Sequence, residues 1–405
     1  MDNSHLSIYL GDKEIGHLWL EGRIFCFAYT CRDTAPISIS LPVREEPYTN
    51  DESRPFFVNL LPEGLAREAI ARQLHISNSN DFDLLKALGE DCAGAVRIFP
   101  SEATHDRTES YDELTQEQLV DLIVNLKVEP LGARKMRLSL AGAQTKIPVR
   151  IANGTFSLPV GGAPSTHIIK IASSHFPDTV ENETFVMMLA MAVGLNVPKV
   201  QQLKFGEITA FVIERYDRRN RTDGTIGRLL QEDFCQARGL EPEYKYQETG
   251  GLNLVDCFEI IDNASVDIFN DRGQLLEWVA FNIAVGNADA HAKNLSLLYT
   301  HEGIRLAPFY DLLSTSVYGS SHDERFAMTI GRQWDSLKVS EEDWGLLAQD
   351  IRVKKTALLR TVKGMYGRVA KKLEPVFKEY EATYPKNSTV CKISETILAR
   401  LKILM

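Results

Sequence analysis

Long apolar runs are missing from this 405-residue chain. No stretch approaches the ~18 consecutive apolar residues of a membrane-spanning helix, so no membrane partner is expected. The opening Met-Asp-Asn-Ser-His lacks the basic and apolar segments of a secretory signal, and a cytoplasmic location is expected. Six cysteines, at 26, 31, 92, 235, 257 and 391, include no Cys-x-x-Cys pair, which favours reduced thiols over disulfides or zinc. Positive charge is also short: 45 Lys and Arg stand against 55 Asp and Glu, a formal net charge of −10. A chain that grips nucleic acid by itself is not expected, because phosphate neutralisation needs clustered cations. The pairs Lys354-Lys355 and Lys371-Lys372 read as solvated helix faces. Internal repeats and low-complexity tracts are absent.

What the chain does contain is an ordered set of acids and amides. Asp289 is followed after four residues by Asn294, and Asp311 comes after a short strand–turn–strand. The spacing predicts a buried helix over 276–285, ended by Gly286, then a strand over 295–299, a turn at His301-Glu302-Gly303 and a strand over 304–307 closed by Pro308. Kinase-type phosphotransferases present a base and two metal ligands to a nucleotide in this way. Mg²⁺ is hard and prefers oxygen, so the Asn294 amide oxygen and the Asp311 carboxylate suit it, together with phosphate oxygens. Asp289 is then available to take the proton of an attacking hydroxyl. The bland reading is a turn-capping Asp and an Asx-turn Asn.

A nucleotide clamp is expected upstream. The small residues Ala141, Gly142 and Ala143, with Gln144, Thr145 and Lys146, allow backbone N–H groups to approach phosphate oxygens. The loop lacks Walker A spacing, and an ordinary tight turn would use the same residues. Lys170 lies in a β-branched strand at 166–172, either solvated on an edge or holding the α/β-phosphates. A helix follows from Val180 to a stop at Gly194. Its Glu181 or Glu183 would complement the helix dipole or orient Lys170, with Glu183 preferred. Strands at 201–205 and 208–213 lead into Glu214, Arg215 and Tyr216, where a kinase places the hinge that reads adenine.

The expected fold is α+β: a two-lobed, protein-kinase-like architecture with a mixed α/β N-terminal part and an all-α C-terminal lobe. Residues 1–100 form an N-terminal module with strands at 6–10, 14–20 and 24–29 and helices near 63–74 and 81–88. Residues 101–136 give an acidic connector and a helix, 137–215 the nucleotide-binding lobe, and 216–405 the helical lobe.

The chain resembles the HipA family of bacterial toxin serine/threonine kinases along nearly its whole length. The resemblance is carried by 37–42 (Ile-Ser-Ile-Ser-Leu-Pro), 57–62 (Phe-Val-Asn-Leu-Leu-Pro), 82–85 with 94–96, and 139–146. It continues through 166–170, 194–198, 214–218, 231–236 (Gln-Glu-Asp-Phe-Cys-Gln), 289–294 and 308–311 (Pro-Phe-Tyr-Asp). It implies that Asp289 is the base and that Asn294 and Asp311 bind Mg²⁺. It also implies that Lys170, the 141–146 loop, the 214–216 hinge and the flanking His291, Ala292, Lys293 and Tyr310 surround ATP. Within that group His291 reads as a packed loop imidazole and Lys293 as a charge near the phosphates. Ser139 would be an autophosphorylation site that ejects the loop, since a phosphate adds close to two negative charges there. Implied partners are a HipB-like helix-turn-helix antitoxin, operator DNA through it, and a protein substrate such as an aminoacyl-tRNA synthetase. Thr145 departs from the acid common at its position, and the C-terminal helices are short for the family. Two alternatives stay open: a small-molecule phosphotransferase, and a chain whose main task is to hold the antitoxin.

Overall fold

The computed structural model describes residues 5–101, 109–128, 146–172, 176–321 and 325–405. Alternating apolar side chains build the first strands: β1 (Leu6–Leu10), β2 (Lys13–Glu21) and β3 (Ile24–Tyr29). Three helices follow: α1 (Asn50–Val58), α2 (Gly64–Leu74) and α3 (Asp81–Leu88). The strand β4 (Val96–Pro100) then pairs antiparallel with β1 and completes a sheet of order β3-β2-β1-β4. Neither α1 nor β4 was expected. α1 forms despite Pro55 inside it, because Thr49 and Glu52 make a reciprocal capping box and Phe56 and Phe57 are buried.

A second, six-stranded sheet has the order β5-β7-β6-β8-β10-β9. Its members are β5 (Ser110–Glu113), β6 (Lys146–Ala152), β7 (Thr155–Val160), β8 (His167–Ile171), β9 (Val200–Phe205) and β10 (Ile208–Glu214). Part of the expected acidic connector is therefore sheet: Ser110 to Glu113 pair with Val160 to Ser157 of β7. In chain order, α4 (Gln116–Val128) lies between β5 and β6, and α5 (Thr179–Ala192) between β8 and β9. Short strands β11 (Arg218–Asn220), β12 (Ile226–Arg228) and β13 (Gln231–Asp233) precede α6 (Phe234–Arg238). The remainder is α7 (Leu254–Ala264), α8 (Ile268–Val285), β14 (Ser296–Thr300), β15 (Gly303–Leu306), β16 (Arg325–Ile330), β17 (Gln333–Asp335), α9 (Glu341–Asp350), α10 (Lys355–Thr383) and α11 (Ser388–Leu404). No described helix is long and apolar enough to cross a membrane.

The chain forms two compact units. Unit one comprises Met1–Ile171, Leu203–Pro242 and Leu298–Thr300. Its core joins both sheets through Ile8, Phe27, Phe57, Ile98, Ile147, Ile169 and Val212. Unit two comprises Ala172–Gln202, Glu243–Leu297 and His301–Met405. Here α8 and α10 are central: α10 packs on α5, α8, α9 and α11. Phe185 of α5 stands edge-on to Tyr380 of α10, with ring centroids 5.8 Å apart.

Candidate active site

The end of α8 is the first anchor of the site in unit two. Nearly every side chain from 275 to 285 is buried, so the helix end is held on all sides. Gly286 terminates it in the left-handed region, at φ 71°, and a Cβ there would also collide with Ser316 Oγ. Its carbonyl accepts from Ser316 N (3.1 Å), Thr315 Oγ1 (3.1 Å) and Ser316 Oγ (3.0 Å). From the helix a relay of amides reaches the expected base. Asn282 Nδ2 donates to Trp278 O (2.9 Å), Asn287 Nδ2 donates to Asn282 Oδ1 (2.8 Å), and Asp289 N donates to Asn287 Oδ1 (3.2 Å). Ala288 N donates to Thr315 Oγ1 at 2.8 Å.

Asp289 itself is exposed, and the Tyr246 hydroxyl donates to its Oδ1 at 2.6 Å. The Tyr246 ring stands edge-on to His291, 5.2 Å between centroids. His291 is buried in the loop, as are Ala292 and Lys293. A carboxylate held through one oxygen keeps its second for proton transfer.

Asn294 closes the short turn Ala292–Asn294, and its Nδ2 donates to Asp289 O at 2.9 Å. That bond directs the amide nitrogen inward and leaves the carbonyl oxygen as an acceptor. The hairpin of β14 and β15 then returns the chain to Phe309, which stacks on Trp278 of α8 at 6.0 Å and donates its N–H to Asn196 O (2.8 Å). The next residue, Tyr310, donates its hydroxyl to Lys293 O (2.7 Å) and shares a hydrogen bond with Ser296 Oγ (2.9 Å). The residue before Asp311 is thus bonded to the residue before Asn294. Asp311 is half-buried with φ 53°, a left-handed conformation that Asp tolerates better than most side chains. Past it, Ser314 is clasped by Asn182 of α5: Asn182 Nδ2 donates to Ser314 O (2.9 Å) and Ser314 N donates to Asn182 Oδ1 (2.8 Å). Sequence reasoning missed Tyr246, Asn182, Asn282 and Asn287. A buried Asn in mid-helix is the signal that was available for two of them.

Unit one carries the other expected nucleotide residues. Lys146 opens β6 directly opposite Lys170 on β8, and Lys170 is buried beside the Phe211 ring. Ser139, Ala141, Gly142, Ala143, Gln144 and Thr145 lie outside the described residues. At the expected hinge, Glu214 is exposed and Tyr216 hydrogen-bonds Gln231 through its hydroxyl. Arg215 turns inward instead. Its N–H donates to Thr166 O (2.9 Å), and its guanidinium binds Asp217 (3.0 and 2.7 Å), Ser165 Oγ (2.8 Å) and Cys92 O (2.9 Å). Glu183 is buried on α5 in unit two. Burial raises the carboxyl of its neighbour Glu181 above the ordinary range.

Among the described residues no cluster of three His, Cys, Asp or Glu side chains could hold a metal ion. The oxygen donors Asn294 and Asp311 suit a hard cation whose remaining ligands come from a bound phosphate.

Residues 6–99 match the HipA N-terminal domain and residues 138–373 the HipA-like C-terminal domain. The chain is 37% identical over 410 residues to a Sinorhizobium fredii protein named "Putative kinase Y4mE", covering 96% of this chain and 97% of that one. It is 32% identical over 349 residues to the serine/threonine-protein kinase toxin HipA of Shewanella oneidensis, covering 82% and 79%. A solved Shewanella oneidensis complex of HipA, HipB and operator DNA contains a chain that superimposes with a TM-score of 0.85 at 27% identity, over 98% of this chain and 96% of that one. The protein belongs to the HipA family of kinase toxins, and its α+β, kinase-like fold is the family's.

Proposed function

We propose that this protein transfers the γ-phosphoryl group of ATP to a serine or threonine hydroxyl of another protein. The observation that supports this most is the bond from the Tyr310 hydroxyl to Lys293 O, which ties the segments bearing Asp311 and Asn294 together beside Asp289. Asp289 accepts the proton as the acceptor oxygen bonds to phosphorus; the bond from phosphorus to the bridging oxygen breaks, and ADP leaves with its electron pair. Asn294 and Asp311 hold the metal, and bound Mg²⁺ would neutralise charge on the phosphate oxygens. Lys146, Lys170 and the backbone of 141–145 bind phosphates, and Glu183 is a supporting residue. Tyr310 fixes the metal-binding segment, while His291 and Ala292 pack the loop and Lys293 supplies charge. Glu214, Arg215 and Tyr216 form the adenine hinge through backbone atoms, the Arg215 side chain being committed elsewhere.

The remaining proposals extend the family resemblance. Ser139 is the site of self-inactivation by autophosphorylation. A HipB-like antitoxin neutralises the enzyme and links it to operator DNA, as the Shewanella oneidensis complex pairs HipA with HipB. An aminoacyl-tRNA synthetase, whose loss would stop translation, is the acceptor we favour, and 1–100 is an N-terminal HipA-type subdomain that shares one core with the second sheet.

The decisive test is Asp289→Asn. The purified variant should bind MgATP in calorimetry with little change and lose phosphoryl transfer by about 10²–10⁴-fold. Near-normal turnover would overturn the assignment.

A further inference from the structure

Asp289 borders a cleft of about 490 Å³ built entirely from unit two, within the roughly 300–1,000 Å³ that ligand sites occupy. Part of its lining is polar: Tyr246, which holds Asp289, and the hydroxyl-bearing Thr249 and Thr315. Its apolar surface is mainly aromatic, from Phe176, Tyr318, Phe326 and Trp334. Phe176 and Tyr318 meet edge-on with centroids 5.7 Å apart, and Asn182 Nδ2 donates to the Tyr318 hydroxyl at 3.2 Å. Phe326 and Trp334 come from the paired strands β16 and β17. Two further charges line the cleft, and they cancel: Arg325 binds Glu248 through both nitrogens, at 3.0 and 2.9 Å.

These features select among acceptors. An amine-rich or polyhydroxylated small molecule needs several carboxylates or amides, whereas Glu248 is already engaged and the aromatic lining offers an uncharged surface. An acidic neighbour to the acceptor hydroxyl would be repelled by Asp289. A large apolar side chain would gain from leaving water.

We propose that this cleft is the acceptor subsite, and that its ligand is an extended peptide. The peptide offers a serine or threonine hydroxyl to Asp289 and a bulky apolar neighbour, leucine-sized or aromatic, to the Phe176, Tyr318, Phe326 and Trp334 surface. The inference rests on the phosphoryl-transfer reading and names its substrate class.

The test uses the full chain with MgATP and three peptides that differ only beside a central serine, flanked on both sides by Leu, Ala or Asp. Calorimetric MgATP binding is measured alongside. The Leu peptide should exceed the Ala peptide in kcat/KM by roughly 10-fold or more, with the Asp peptide poorest. Trp334→Ala should collapse the Leu-to-Ala ratio. Ala327→Leu, which fills the cleft without removing packing, should raise KM for the Leu peptide. Equal use of the three peptides, a ratio unmoved by both variants, or preference for an aminoglycoside over every peptide would overturn the subsite while MgATP binding persists. Absent MgATP binding with no peptide modified would instead remove the phosphoryl-transfer reading, and the subsite with it.

Discussion

One buried polar cluster of unit one is fixed with full charges, whereas the candidate active site in unit two is held by neutral groups. In unit one Asp91 and Asp217 meet Arg215, Arg218 and Arg228, all buried. Burial opposes charge on every member, yet the three arginines hold the Asp91 carboxyl below the usual range. Burial and repulsion by Arg215 push the Arg218 guanidinium down to about 10. Around Asp289 and Asp311 the work falls to the Asn182, Asn282 and Asn287 amides and the Thr315 and Tyr310 hydroxyls. Neutral donors fix geometry without adding a formal charge to the field in which a proton must move. A charged frame suits a part that must not change, and a neutral frame suits the part proposed to move a proton.

The contrast breaks most sharply at Asp217, which receives Gly94 N (2.6 Å) as well as Arg215. Asp217→Ala strands two buried guanidinium groups and should cost about 3–5 kcal/mol in denaturant unfolding. Asn287→Ala removes a neutral link, so its stability cost should be smaller, about 1–3 kcal/mol, with a clear fall in kcat as Asp289 loses its backbone tether. Tyr246→Phe should move stability least, because the ring and its contact with His291 remain. It should lower kcat by roughly 10-fold while the KM for ATP holds. A parallel rise in the KM for ATP would show that Tyr246 acts on the nucleotide instead.

A pH measurement sharpens the same comparison. Glu232 accepts from Ile39 N (3.0 Å), Tyr299 Oη (2.5 Å) and Ser38 Oγ, but complete burial pushes its carboxyl up to about 7. Its folded pKa lies above its unfolded value near 4.5, so the native state binds the extra proton. Its stabilising contribution is full below pH 4.5 and is lost as pH rises towards 7. Glu232→Gln should flatten that part of the stability–pH curve, and an unchanged slope would assign it to another group.

The proposed base and metal ligands could be picked out as candidates because their pattern is local: Asp289, Asn294 and Asp311 sit at fixed spacings around one hairpin. The supports were not, because each joins residues remote in sequence. Asn182 clasps Ser314 across 132 positions, and Arg215 binds Ser165 across 50. At Arg215 the strand exit was legible as a hinge candidate, but the interior network that its side chain joins was not. β5 was illegible for another reason. Its four residues, Ser-Tyr-Asp-Glu, carry little strand signal and exist as sheet only by pairing with β7. The Thr49–Glu52 capping box of α1 is a readable helix start, while Pro55 inside the helix is a signal of the opposite sense.

Asp311 carries a last consequence. At φ 53° its backbone would accept glycine or asparagine with little protest, while most other side chains would be crowded. Shape therefore permits at least three residues at this position, and only one of them brings a negative oxygen. Under the metal-binding role proposed for Asp311, natural silencing of such a chain has an easy route here: a single replacement would end the proposed chemistry while leaving its outline, and whatever recognises that outline, intact.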